Sequence, residues 1–242
     1  MDALEIVRRT APPINAAGSA FYFDAATLAA GEALGLDAFH FYCMGRGGVL
    51  GDVEPAVVAS AFGYFHPAVV QQLWTEGRAI IAPRDAATAY LAAADACGRA
   101  KLTDLDGLDS FNDAAEAIIA HVDGSALALY AGVAAEPLPD DAPARAYRNV
   151  VTLRELRGSV HLLAIVAEGL HPATAHAIRR PDEVAMFGYE QTPVASDADE
   201  VALRAADVRT DELLAAWFEV LDDSQRTALN DGADAIGAAF GV

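Results

Sequence analysis

The chain has 242 residues, a formal net charge of −19 and 54% hydrophobic residues, enough apolar material for the core of one large domain or two small ones. The charge weighs against nucleic acid as a partner, because contacts to phosphate supply most non-specific affinity and need a basic face. Lys101 is the only lysine, and residues 102–144 hold no lysine or arginine at all.

Alanine is abundant while β-branched and aromatic residues are modest, so the expected class is all-α. A first helix is expected over 2–10, stopped by Ala11-Pro12-Pro13. Helices over 18–34 and 36–46 follow, separated by Gly35. The segment from Gly45 to Val53 is so rich in glycine that a tight loop is expected there. Glu54-Pro55 reads as the first turn of a helix running to about Phe65, and His66-Pro67 opens another that ends near Gly77. An Ala-rich helix over 84–99 and a helix from Leu108 to His121 come next. After a connection carrying Pro137, Pro139 and Pro143, a long helix is expected over 144–168. His171-Pro172 starts a short helix that Arg179-Arg180-Pro181 ends, and two final helices cover 199–221 and 224–239. The expected architecture is a multi-helix bundle around the long central helix. An N-terminal helical part (1–139) and a C-terminal one (140–242) would pack as a single compact unit.

No apolar run reaches the ~20 residues that span a bilayer. The opening Met-Asp-Ala-Leu-Glu-Ile-Val-Arg-Arg lacks the order of charges and the apolar core of a secretory signal. Cys43 and Cys97 have no metal-like spacing, and both thiols are expected to stay reduced. A cytoplasmic protein without a membrane partner is expected; whether it forms a homo-oligomer is left open.

The long helix carries the main chemical signal. Four of the sixteen basic residues lie between Arg145 and His161, and Arg154, Arg157 and His161 fall within about 60° of one another on the helix. Leu153, Leu156, Val160 and Leu163 cover another side. A strip of two guanidiniums and an imidazole needs an anionic partner: either internal carboxylates, for which Glu155, Glu168, Asp52 and Glu54 are the available acids, or a ligand. Gly158 interrupts the helix at a cost of roughly 1 kcal/mol relative to alanine, which marks close approach by another backbone or a ligand.

Arg46 stands alone in an aromatic stretch containing Phe39, Phe41, Tyr42, Phe62, Tyr64 and Phe65, and is either a surface charge or a buried anchor for a carboxylate. Gly47, Gly48 and Gly51 can bring backbone N–H groups to an anion, although a simple turn is the plainer reading. His66 occupies an expected N-cap. His171 and His176 do not share a helix face, and no metal-ligand motif is present, so no metal site is expected.

Three stretches together resemble a known family: Tyr42–Asp52 with Arg46 and Leu50-Gly51, Val57–Val69 with its Phe65-His66-Pro67 step, and Leu153–Leu170 with Leu-Arg-Glu-Leu-Arg-Gly-Ser-Val-His. The group is a largely uncharacterised family of actinobacterial proteins carrying a helix-turn-helix label. Its pattern has an Arg followed by Leu-Gly, an aromatic-Asn-Pro step and a Leu-Arg-Glu-His-Arg-Gly-x-x-His helix. By resemblance Arg46, Arg154, Glu155, Arg157, Gly158 and His161 fall on shared positions, while His66 replaces Asn and Leu156 replaces His. The winged-helix-like C-terminal portion of the family looks replaced by the acidic stretch Ser196–Glu200, which weakens the DNA-binding role that the label implies.

The resemblance carries no activity, so the functional expectation rests on chemistry. The first reading is a protein binding an acidic small molecule, with Arg46, Arg154 and Arg157 gripping the anion and Tyr42 and His66 beside them. In an enzyme, His161 would be the general acid/base. The second is a degenerate helix-turn-helix module that senses a ligand or binds a protein without touching DNA. Less favoured are a DNA-binding regulator and a haem protein, in which His161 would hold the iron and the arginines the propionates.

Overall fold

The computed structural model describes residues 1–242 and contains twelve α-helices, two short 3-10 turns and no strand. The helices are α1 (Ala3–Ala20), α2 (Ala25–Ala33), α3 (Ala38–Gly47), α4 (Pro55–Phe62), α5 (Pro67–Arg78), α6 (Pro83–Leu102), α7 (Leu108–His121), α8 (Ala128–Ala134), α9 (Ala142–Ala167), α10 (Pro172–Arg179), α11 (Asp197–Phe218) and α12 (Asp223–Phe240). Much of the negative charge has a local task. Asp2, Asp24, Asp37, Asp141 and Asp222 each accept an N–H from the first turn of a helix, satisfying orphan donors and meeting the positive end of the helix dipole.

The expected central helix is α9. It packs against α1, α6, α7, α8, α10 and α11, and residues Ala146–Leu153 are buried without a break. One core cluster reaches from Ala3 to Ile236 and takes in Phe21, Phe41, Met44, Trp74, Phe111, Tyr147 and Leu156. Each such side chain contributes about 1.5–3 kcal/mol on burial. A smaller cluster of Ala164, Ile165, Leu170, Ala175, Leu203 and Ala206 ties the end of α9 to α10 and α11. Leu163 and Val166, expected to face neighbours, are exposed. No helix is long and apolar enough to cross a membrane, and both cysteines are free and buried.

The structure corrects the sequence reading in four places. α1 runs straight through Pro12 and Pro13. The carbonyls that lose a donor there belong to Arg8 and Arg9, both exposed, and Ile6, Val7, Ile14 and Ala17 hold the helix to the core on either side. The expected helix over 18–34 is broken at Phe21–Asp24, where Asp24 caps a new helix by accepting from Ala26 and Thr27 N–H. The glycine-rich segment is mostly helical, with α3 extending to Gly47 before a 3-10 turn. Its glycines serve packing. A Cβ on Gly45 would lie 2.4 Å from the Tyr90 ring, and one on Gly48 would lie 2.0 Å from the Pro83 carbonyl oxygen. Gly48 and Gly51 N–H both bond to backbone carbonyls, which leaves them unavailable to an anion. Finally, α8 occupies a stretch where no helix was expected.

Candidate functional site

The two halves of α9 each hold arginines, and their environments differ. In the first half Arg148 donates from Nε and Nη2 to Asp95 and from Nη1 to the Pro137 carbonyl. Arg145 makes a two-pronged bond to Glu116, and Asn149 bridges Asn112 and Glu116. Each of these two arginines therefore holds a carboxylate with two parallel bonds, while Asn149 Oδ1 stays buried without a partner.

In the second half the cationic strip divides. Arg157 turns to α11, where it shares Asp211 with Arg8. Arg154 lies against Gly18 of α1 and over the Tyr22 ring, 4.9 Å from its centroid. Its only hydrogen bond runs from Nη1 to Glu155 Oε1 at 3.2 Å, so Nε and Nη2 have no partner in the chain. His161 approaches α11 as well, with Nδ1 3.0 Å from Thr210 Oγ1.

Arg46 is the buried carboxylate anchor, and the carboxylate is Glu155, 109 positions away. Nε and Nη2 of Arg46 each donate to one oxygen of Glu155 at 2.8 Å, and Nη1 donates to the Tyr42 hydroxyl at 3.0 Å. The guanidinium also stands over the Phe62 ring, 4.7 Å from its centroid. Glu155 is only 2% exposed, and its Oε1 additionally accepts from Tyr22 at 3.2 Å. Burial opposes charge on both partners. The Arg46 charge and its hydrogen bonds nonetheless hold the Glu155 carboxyl below the usual glutamate range, and Glu155 makes Arg46 more basic than usual.

This cluster has more donors than acceptors. It holds two guanidiniums and one carboxylate. The Tyr42 hydroxyl accepts from Arg46 but has no acceptor for its own proton. Tyr90, 3% exposed and packed on Phe21 and Phe41, carries a hydroxyl without any partner. Burial raises its pKa, so it remains a protonated donor. Phe23 and Phe39 are exposed beside Tyr42, with Phe23 stacked on its ring at 5.8 Å.

Gly158 lies on α9 one turn above Arg154. A Cβ there would meet nothing within 4 Å. The close approach expected at this glycine is therefore not made by any part of the chain, and the space at this position of the helix, between Arg154 and His161 in sequence, is open. A cavity of about 390 Å³ between α4, α8 and α9 is lined by Ala56, Val57, Leu129, Ser159 and Leu162 among others and includes no charged side chain.

The imidazole of His161 has a defined tautomer. Thr210 Oγ1 donates its proton to the Ala206 carbonyl at 2.6 Å, so it can only accept from His161, and the ring proton sits on Nδ1. The ring is neutral at neutral pH. Burial, then the Arg179 guanidinium, lowers its pKa from 6.5 to about 4. Between the two clusters stands Tyr64, whose hydroxyl burial pushes up to about 12, with Arg179 and then Arg46 drawing it back. His66 is the N-cap of α5, accepting from Ala68 N–H through Nδ1, and packs on Tyr189. Sequence reasoning did not find Tyr22 and Tyr90. The only signal was their aromatic character, which about a quarter of the core cluster shares.

Residues 7–195 match the model of a helix-turn-helix family, well over half of the chain, and the chain belongs to that family. The matched region stops just before α11. No curated protein and no solved structure matches the chain.

Proposed function

We propose that this member of the helix-turn-helix family is a receptor for a small anionic molecule, held by Arg154 with Arg46 behind it, and that it does not act by reading DNA. The observation that supports the anion reading is the donor surplus around Glu155. Two guanidiniums share one carboxylate, and the Tyr42 hydroxyl beside them has no acceptor for its proton, near a helix position at Gly158 with open space around it. A carboxylate on the ligand would neutralise the extra charge and accept from the free edge of Arg154, the geometry in which arginine binds carboxylates most strongly. Tyr42, Phe23 and Phe39 offer apolar surface for the rest of the molecule. Arg157 and His66 serve the fold in this reading, through Asp211 and the α5 cap.

Two observations support a role apart from DNA. Fourteen of the sixteen basic side chains are in ion pairs with carboxylates; the exceptions are Arg9 and Lys101. The pair α2–α3, joined by a four-residue turn with Gly35 at φ +81°, has the layout of a helix-turn-helix. In DNA readers the second helix lies in the major groove. Here α3 is enclosed by α2, α5 and α6, with Phe41–Gly45 all buried.

The test is the native mass of freshly purified protein together with thermal melts in octanoate and in the uncharged octanamide. Stabilisation by the acid alone, lost in Arg154→Ala, is the expected result. No retained anion and no response to the acid would refute the reading. Duplex DNA bound more tightly than about 1 µM at physiological salt would refute its second half.

A further inference from the structure

The free edge of Arg154 and the free nitrogen of His161 lie on one face of α9. Seven positions, almost two full turns, separate the two residues, a rise of about 10 Å between their Cα atoms along the axis. Gly158 lies between them along the axis, and a Cβ there would have no neighbour within 4 Å. At one end of this lane are N–H donors. The other end has the opposite polarity. Because Nδ1 holds the imidazole proton and gives it to Thr210, Nε2 is a lone pair, and no group in the chain donates to it. It is not sealed in the core, since it is absent from the buried atoms that lack partners and the side chain is 17% exposed.

Resting on the anion reading above, we propose that the ligand is bipolar: an anionic group for Arg154 and, about two helical turns along α9, a hydroxyl or N–H that donates to His161 Nε2. His161 is then a specificity-determining hydrogen-bond acceptor. Burial first, and neighbouring charge after it, keep the ring neutral in that role. Arg179 and Arg157 both oppose protonation of the ring, outweighing Asp207 and Asp211. A ligand with a second acceptor in this place, such as a dicarboxylate, would meet a lone pair and be disfavoured.

The experiment is calorimetric titration of the whole chain with octanoate and with 8-hydroxyoctanoate, whose extended eight-carbon chain suits the spacing. The wild type is expected to bind the hydroxy acid about three- to tenfold more tightly, the effect of one added hydrogen bond. His161→Leu should bring the two acids to equal affinity, and His161→Gln, which offers a carbonyl oxygen, should restore part of the preference. Arg154→Ala should weaken both acids while keeping their ratio. Equal binding of both acids by the wild type, or a preference that survives in His161→Leu, overturns the bipolar ligand and leaves the anion site standing. Binding of neither acid removes the anion site and this proposal with it. The wild-type comparison needs no variant, so a variant that fails to fold does not block the test.

Discussion

The first and second halves of α9 use the same residue types for different ends. Arg145 and Arg148 each bind a carboxylate inside the fold, Glu116 and Asp95, through two parallel bonds. Arg154 and His161, two to four turns further along, each keep an edge that nothing in the chain occupies. What distinguishes Arg154 is that the one carboxylate it reaches, Glu155, already accepts two bonds from Arg46 and one from Tyr22, whereas Arg145 and Arg148 each hold a two-pronged carboxylate of their own. A buried pair broken on one side is costly because the survivor stays charged in a poor solvent, whereas a half-open cation loses only weak interactions.

The sharpest test of this contrast is Arg148→Ala. The side chain is 5% exposed, and its loss strands Asp95, so stability should fall by about 3–5 kcal/mol. For a chain of this length the melting temperature drops roughly 10 °C, read by calorimetry. Glu155→Gln comes next. It leaves Arg46 and Arg154 together without their shared anion, and a loss of about 3 kcal/mol is expected in urea unfolding at pH 7. The wild-type Glu155 carboxyl is held below its usual range. Its contribution is thus present above about pH 4.3 and lost as pH falls through the folded value.

His161 gives a separate pH window. Its pKa is lowered from 6.5 to about 4, so the unfolded chain takes up a proton that the folded chain refuses. Stability should be complete above about pH 6.5 and decline toward pH 4, by on the order of 3 kcal/mol. Urea melts across this range should show a steeper slope in the wild type than in His161→Gln, where the buried His176, whose pKa is also lowered, leaves a remainder. A wild-type profile that is flat between pH 6.5 and 4.5 would refute the neutral, Nδ1-protonated ring.

Smaller effects fall on the open lane. Arg154→Ala should change stability by less than about 1 kcal/mol while removing the response to octanoate, the inverse of Arg148→Ala. Gly158→Ala should raise stability by about 0.5–1 kcal/mol, since alanine favours the helix and its methyl meets no neighbour. Gly158→Phe should fold and bind octanoate poorly. If Gly158→Ala instead destabilises the chain, the space above it is not open.

The all-α class, the long helix near 144–168, the breaks at His66-Pro67 and His171-Pro172, and the strip of Arg154, Arg157 and His161 were legible in the sequence, because they depend on local propensity and the helical period. Arg46 was recognisable as anomalous, a lone charge in aromatic sequence. Its partner could be named only as one acid among several. Tertiary structure decided the rest. It carried α1 through two prolines, because burial on both sides outweighed two missing hydrogen bonds on an exposed edge. It turned Gly45 and Gly48 from expected loop residues into contact surfaces for Tyr90 and Pro83. It also divided the strip, sending Arg157 and His161 to α11 and Arg154 to α1 and Tyr22. Helical spacing fixes which side chains share a face, a short-range geometric fact. Which partner each one meets depends on helices brought from far along the chain, and no local pattern encodes that packing.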